Sequence, residues 1–284
     1  MGQRSRSAYW FIAFPMAVLF VFTLLPTVAG LGLSLFSWAG SGRPTFVGVQ
    51  NFVQLARDES FRPAVRNTLL FVVATVPISV VAAFGLAVIA SAPWFRGKTM
   101  ARTCIFLPTI VSIIAVGVVW RWLLADQGGL LPGAIRSVGL RPPSFLDGSW
   151  AFVSIVLVQI WRGVGFCFVL YLAALAGVNR NLYEAARVDG ASRWAVVRHI
   201  TWPAVGPMTV FLLVTGVIGA LQVFDVVWAM TSRAETDATR VLNLYIFREF
   251  KQSRLGYAAA IGVVIFSLTL IVTWGQLRLL RGRT

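Results

Sequence analysis

The chain has 284 residues, of which 58% are apolar and only 12% charged, and 25 Lys and Arg against 10 Asp and Glu give a net charge of +15. Soluble domains carry about 25% charged residues, and the mean hydropathy here is +0.79. This excludes a disordered segment, a coiled coil and an ordinary soluble enzyme, and leaves a protein that crosses a membrane several times. The basic residues fall in short segments between apolar runs, so they report membrane topology and not a nucleic-acid surface.

A spanning helix needs about 20 mostly apolar residues. Six stretches supply them, at about 9–36, 67–92, 103–120, 150–177, 204–228 and 257–277. Backbone polar groups in lipid must be satisfied within their own segment, so all six are predicted as helices, in one all-α membrane domain covering 1–284. Trp10, Trp38, Trp94, Trp120, Trp122, Trp150, Trp228 and Trp274 lie near the ends of these runs, as an aromatic belt requires. The first run is far longer than the roughly 7–15 residues of a signal-peptide core, and no small-x-small cleavage site follows it, so it reads as an uncleaved anchor. Cys104 and Cys167 both fall within apolar stretches and read as buried packing residues.

Between the spans, the segment 39–66 begins with Gly40, Gly42 and Pro44 and becomes polar. The segment 121–149 is rich in Gly and Pro and is expected to hold short helices, and 229–256 ends in an amphipathic piece. Lys and Arg divide evenly between the two sides. Arg96, Lys98 and Arg102 crowd one short turn, however, and Arg278, Arg281 and Arg283 crowd the end, and short loops carry the most weight in setting orientation. Both termini are therefore expected in the cytoplasm.

Several chemistries lack their residues. Gly97-Lys98-Thr99 would need a glycine at position 92 to make a phosphate-binding loop, and that residue is Ala92. His199 is the one histidine, which leaves no His-rich metal site and no His-based triad. There is no Gly-x-Ser-x-Gly and no His-Glu-x-x-His. No ATP site, metal site or catalytic residue is predicted in this chain.

The segment 179–203 reads as two short helices broken at Gly190. Residues 181–188 favour helix, Asp189-Gly190 is a stop with glycine suited to a left-handed cap, and Ser192 caps a second helix through about His199. Pro203 then restarts the chain into the fifth span. Leu182, Ala185, Ala186, Val188, Trp194 and Val197 give the knuckle an apolar side. On the residues alone two readings stay open: a helix pair lying on membrane lipid, and a docking surface for another protein.

Glu184-Ala185-Ala186, Asp189-Gly190-Ala191, Ile200 and Pro203 resemble, in identity and spacing, the EAA motif of binding-protein-dependent ABC importer permeases, most closely the carbohydrate class of maltose and glycerol-3-phosphate permeases. Leu107-Pro108 with Trp120-Arg121-Trp122, Gln222-Val223-Phe224-Asp225 and Gly256-Tyr257-Ala258-Ala259-Ala260 are similar to that class's third, fifth and sixth spans. The resemblance thus covers nearly the whole chain. Two positions depart: Trp202 stands where Leu is usual, and Thr231-Ser232-Arg233-Ala234 where Thr-x-Gly-Gly-Pro is frequent.

The resemblance implies a type I importer permease in the bacterial inner membrane, one half of a pore completed by a second permease subunit. It implies two cytosolic ATPase subunits holding ATP and Mg, and an extracytoplasmic solute-binding protein. The loop 181–203 would be the coupling helix pair seated in the ATPase. Glu184 would ion-pair, Ala185 and Ala186 would allow close packing, Gly190 would make the bend, and Asp189, Ile200 and Pro203 would complete the motif. The solute would be a sugar, an oligosaccharide or glycerol 3-phosphate. A permease for another solute and a stand-alone ion-coupled carrier are the rival readings.

A charge inside a span is a functional candidate by default. Arg162 lies near the middle of the fourth span, with Gln159 one turn away on the same face, and Gln222 and Asp225 make the same i, i+3 pair in the fifth. Trp161, Phe166 and Phe224 offer stacking faces for a sugar ring. These residues are the candidate solute path. The alternative is that Arg162 pairs with a carbonyl or with Asp225, although counting about 1.5 Å per residue places the two at different depths.

Overall fold

The computed structural model describes residues 4–92, 94–231 and 236–281. Four helical runs are long and apolar enough to cross a membrane, Phe11–Leu33, Phe61–Ser91, Gly148–Ala176 and Leu255–Arg278, and counting each of two bent helix pairs as one span gives up to six. The helices divide between two compact units, one built from residues up to 62 with 242–268, the other from 63–241 with the end of the chain from 269.

In the first unit, α1 (Arg4–Leu19) runs through a widened π turn, Phe20–Leu24, into α2 (Leu25–Leu33). The Leu25 N–H donates to Phe20 O across the wide turn, and Pro26 follows. A proline ring clashes with the carbonyl four residues back and has no N–H to give it, so a wide turn placed over that carbonyl lets the helix continue. None of the most apolar stretch within Phe11–Leu33 is buried.

Two short strands, β1 (Phe36–Ser37) and β2 (Thr45–Phe46), then pair antiparallel, with the Phe36 and Phe46 rings edge to face at 5.3 Å. The Asn51 amide, on α3 (Gln50–Arg57), donates to Ser34 O at 2.8 Å and Phe36 O at 3.0 Å, which fixes the hairpin to this helix.

The last helices of this unit are α14 (Leu242–Lys251) and the start of α15 (Leu255–Arg281). The Leu255 N–H donates to Trp38 O at 2.9 Å. Gly256 lies so close to β1 that a Cβ there would stand 1.8 Å from Phe36 O, so only glycine fits. Asp58, just past α3, accepts from Ser60 N–H at 2.8 Å, from Tyr257 Oη at 2.7 Å and from Tyr245 Oη. Glu249 is 2% exposed and accepts from Arg254 at 2.8 Å.

Burial works to raise the Asp58 carboxyl, but the two tyrosine hydroxyls, the Ser60 N–H and the Arg254 charge together hold it below the ordinary carboxylate range. Burial, and then its bond to the carboxylate, push the Tyr245 hydroxyl well up. Burial likewise raises Glu249, against the opposing pull of Arg254 and Arg248.

In the second unit, α4 (Phe61–Ser91) buries Ala64, Asn67, Thr68, Phe71, Val72, Thr75, Val76, Ser79, Val80, Ala83, Ala87 and Ala90. That stripe recurs every three or four residues, as one face of a helix must, and its mostly small members let neighbours approach. Thr68 and Thr75 satisfy their hydroxyls on the carbonyls of Ala64 and Phe71 one turn back.

The third predicted span departs from a single helix. It is α5 (Lys98–Ile110) followed by α6 (Ile113–Leu123), bent by 99°. Pro108 cannot donate to residue 104, and Val111 is extended with φ −74° and ψ 142°. Cys104, on α5, is exposed and not the buried packing residue expected, whereas Cys167 is buried. α7 (Leu130–Ser137) is the short helix of the Gly/Pro-rich loop.

α8 (Gly148–Ala176) packs on α5 through Gly165, where a Cβ would meet Thr109 Oγ1 at 2.4 Å and Ile105 O at 2.5 Å. The two helices of the knuckle, α9 (Arg180–Val188) and α10 (Arg193–Val196), lead through a second π turn, Val197–Thr201, into α11 (Trp202–Ala204).

The fifth predicted span is also divided. α12 (Gly206–Leu221) starts after a 64° bend, and α13 (Asp225–Thr231) follows a break at residues 222–224. α13 lies along α6, with Gly117 against Ala229. The Asn67 amide holds the next loop, donating to Asp237 O at 2.7 Å and Arg240 O at 3.0 Å. The unusual stretch from Thr231 to Ala234 falls, from position 232 on, outside the described residues.

Candidate functional site

The knuckle is held by caps and backbone bonds at its helix ends, which leave Glu184, Ala185 and Asp189 exposed. Asn179 Oδ1 accepts from Asn181 N–H at 3.0 Å and caps the start of α9. At the other end Gly190 sits at φ 69°, with Gly190 N–H donating to Arg187 O at 3.2 Å and Ala191 N–H to Ala186 O at 2.9 Å. That pair of bonds is the Schellman closure, which needs a left-handed residue at Gly190. Ser192 Oγ accepts from Ala195 N–H at 3.2 Å and caps α10, as its place in the sequence predicts.

Glu184, Ala185 and Asp189 are exposed on this scaffold, and Ala186 is buried inside it. Among the described residues Glu184 makes no ion pair. Leu182, Val188 and Trp194 add exposed apolar surface at 49%, 89% and 71%. An exposed carboxylate and exposed apolar side chains thus share one short, doubly capped turn.

Past α10 the chain differs from expectation. Pro203 does not restart the helix. It continues one unbroken run from Arg193 to Ala204, because the π turn widens the backbone over the carbonyls before it. Trp202 N–H donates to Val197 O across the wide turn, five residues back. This repeats the arrangement before Pro26. The bend falls later, at Val205–Gly206, and Pro207 stands in the first turn of α12. Ile200 is half-buried and Pro203 exposed.

The solute-path candidates divide. Gln159 and Arg162 are half-buried near the middle of α8, and Arg162 Nε is buried with no hydrogen-bond partner among the described residues. Trp161 beside it meets Trp120 edge to face at 5.6 Å. Gln222 closes α12, Phe224 stacks on Trp228 at 6.0 Å, and Asp225 is exposed at the first turn of α13. The Gln222–Asp225 pair therefore does not share one helix face as predicted: the helix breaks between them. No ion pair joins Arg162 to Asp225 among the described residues.

What Trp202 touches lies on another helix and is not named by its own sequence neighbours. Its ring meets Phe84 of α4 at 4.8 Å, and Phe84 meets Tyr171 of α8 at 5.5 Å. The departure from the usual Leu at position 202 was the available signal.

A model of the family described as binding-protein-dependent transport system inner membrane component matches residues 92–283. The lactose transport system permease protein LacF of Rhizobium radiobacter is 33% identical over 285 residues, covering 98% of this chain and 95% of its own length. The sulfoquinovosyl glycerol transport system permease protein SmoG of Agrobacterium fabrum (strain C58) is 32% identical over 272 residues, covering 94% and 88%. In three dimensions the chain is similar to one in the crystal structure of a bacterial ABC transporter involved in the import of the acidic polysaccharide alginate, with a TM-score of 0.88 and 25% identity over 99% of this chain and 98% of that one. The chain belongs to the family of binding-protein-dependent transport system inner membrane components and is a multi-pass transport permease.

Proposed function

We propose that this chain is one permease subunit of an ATP-driven importer for a carbohydrate or related solute (a sugar, an oligosaccharide or glycerol 3-phosphate). A second permease completes the pore, two cytosolic ATPase subunits bind ATP and Mg, and an extracytoplasmic binding protein delivers the solute. The chain itself needs no cofactor. Both termini lie in the cytoplasm, and so does the loop 181–203. The observation that carries the reading is the knuckle, which is capped at both helices and exposes Glu184 together with Leu182, Val188 and Trp194. The lactose and sulfoquinovosyl glycerol named for two relatives, and the alginate named for a structural neighbour, support a carbohydrate as the solute class.

Arg162, with Gln159, lines the solute path in the fourth span, and Gln222, Phe224 and Asp225 line it at the break after α12. A helix break in a span exposes backbone polar groups that water or solute must satisfy, so it suits a path and not a lipid face. In proteoliposomes holding the assembled complex, disaccharide uptake is expected to require ATP, and Arg162→Ala to slow it at least about tenfold with the complex present in normal amount. Uptake driven by an ion gradient without ATP would instead assign a stand-alone carrier. Loss of the complex with the variant would make Arg162 a folding residue.

A further inference from the structure

The run Arg193–Ala204 is one continuous helical stretch. It carries the second helix of the knuckle at one end and stops at Val205–Gly206, where the helix axis turns by 64°. Val205 is 1% exposed and anchored, while Gly206 has open space where a side chain would stand. That is the composition of a hinge, with one fixed residue and one without steric limits.

Two contacts tie this stretch to the rest of its unit. On the knuckle side, Tyr183 Oη of α9 donates to Thr201 Oγ1 at 3.3 Å, and Thr201 in turn donates to Val196 O at 3.4 Å. On the span side, the Trp202 ring meets Phe84 edge to face at 4.8 Å and 78°, and Phe84 meets Tyr171 at 5.5 Å and 68°. Tyr171 is fully buried, and its hydroxyl pairs with Thr209 Oγ1 at 2.9 Å, just past the hinge. Adjacent residues 201 and 202 thus face α9 and α4 respectively. The π turn sets this: each added residue rotates the helix face by about 100°, so an ordinary turn at 197–201 would carry both side chains off their partners.

We propose that Trp202 and Phe84 form the joint through which movement of the docked knuckle is passed to the second, fourth and fifth spans, Trp202 acting as a positioning residue for coupling. This rests on the knuckle being the ATPase contact. Trp202 is 41% exposed, so its ring is gripped on the Phe84 side and adds little to a core. The joint is instead a ring pair with a preferred edge-to-face geometry, which shifts between discrete arrangements and does not deform smoothly. A Leu at position 202 would fill part of the space but has no ring edge to direct at Phe84.

The test uses the assembled complex in proteoliposomes with saturating binding protein and solute, and reads the ratio of solute-stimulated to basal ATP hydrolysis and the solute moved per ATP. Trp202→Ala and Phe84→Leu are each expected to lower both readouts about three- to tenfold, the range that loss of one aromatic pair allows. The double variant is expected to be no worse than the worse single, since both remove one joint, and Trp202→Phe, which keeps a ring, to recover most of the ratio. Multiplying effects in the double variant would overturn the proposal. So would a fall in stimulated and basal hydrolysis together at an unchanged ratio, which is what lost packing alone produces. Glu184→Arg run alongside separates the two readings. If it loses stimulation while Trp202→Ala keeps it, the joint is wrong and docking stands. If it keeps stimulation, the docking reading itself fails.

Discussion

Glu184→Arg is expected to abolish solute-stimulated ATP hydrolysis while the chain stays in the membrane with its partner permease. The knuckle does not depend on Glu184 for its shape. Asn179 and Ser192 cap the two helices, and Gly190 closes the first one, so the exposed carboxylate can be reversed without unfolding the turn. On the docking proposal its interactions lie between subunits. Breaking a buried, hydrogen-bonded charge pair at an interface costs about 2–5 kcal/mol, a loss of roughly 30-fold or more in docking, and an arginine adds repulsion from the cation that Glu184 would pair with. An exposed pair contributes under about 1 kcal/mol. Glu184→Ala therefore measures the depth of the contact: strong uncoupling means the carboxylate is enclosed by the ATPase, and a loss within about fivefold means it sits at the rim. Stimulation unchanged in both variants would place the ATPase elsewhere.

The second large effect is expected from Asp58→Ala, in the other compact unit. Asp58 accepts from Ser60 N–H, Tyr257 Oη and Tyr245 Oη, and both tyrosines are nearly inaccessible, at 3% and 1% exposure. Removing the carboxylate leaves two buried hydroxyls with only each other, at 3.4 Å, in place of a charged acceptor. Hydrogen bonds to a charged group contribute about 1.5–3 kcal/mol, so the loss should reach about 3 kcal/mol or more. For a chain of 284 residues that lowers the thermal midpoint by about 5 °C.

The pH dependence has a fixed sign. The Asp58 carboxyl is held below its ordinary value in the fold, so its contribution is present above the usual carboxylate range and is lost as pH falls through the lowered value. The gap between wild type and Asp58→Ala should stay constant from pH 8 down to about 5 and close progressively below that, as pH falls through the ordinary and then the lowered carboxyl value. Glu249 has the opposite sign: its carboxyl is raised, so its cost to folding appears as pH rises and cannot mimic the Asp58 effect in acid. A gap already closed at pH 6 would contradict the account of this cluster.

What the sequence makes legible follows from the range of the forces involved. Lipid imposes its demand on every backbone group of a segment, so apolar length alone announces the spans. The knuckle is equally local: caps at Asn179, Gly190 and Ser192 act within a few residues, and the turn could be built on paper from them. The EAA resemblance then gave the knuckle a role that local chemistry left open between lipid and protein.

The bends were less visible. Pro108 and Pro203 are each a signal of helix trouble, yet the outcomes differ. At 108 the chain leaves the helix a few residues later, and at 203 a π turn absorbs the proline and moves the bend to Val205–Gly206. The choice depends on neighbours such as Phe84 and Tyr183 that lie on other helices. Asp58 was not legible at all, since its tyrosine partners are 187 and 199 residues away along the chain. Nothing in its own surroundings distinguishes it from a loop carboxylate.

The central claim is that this permease works only as part of an ATP-driven assembly. The most direct measurement is an affinity pull-down of the tagged chain from its native membrane in mild detergent, with mass spectrometry of the bound proteins. The account predicts a stoichiometric ATPase carrying a phosphate-binding loop and a second six-span permease, with the co-purifying binding protein narrowing the solute. Recovery of the chain alone or as a homo-oligomer, with no ATPase at any detergent strength that keeps it folded, would contradict it.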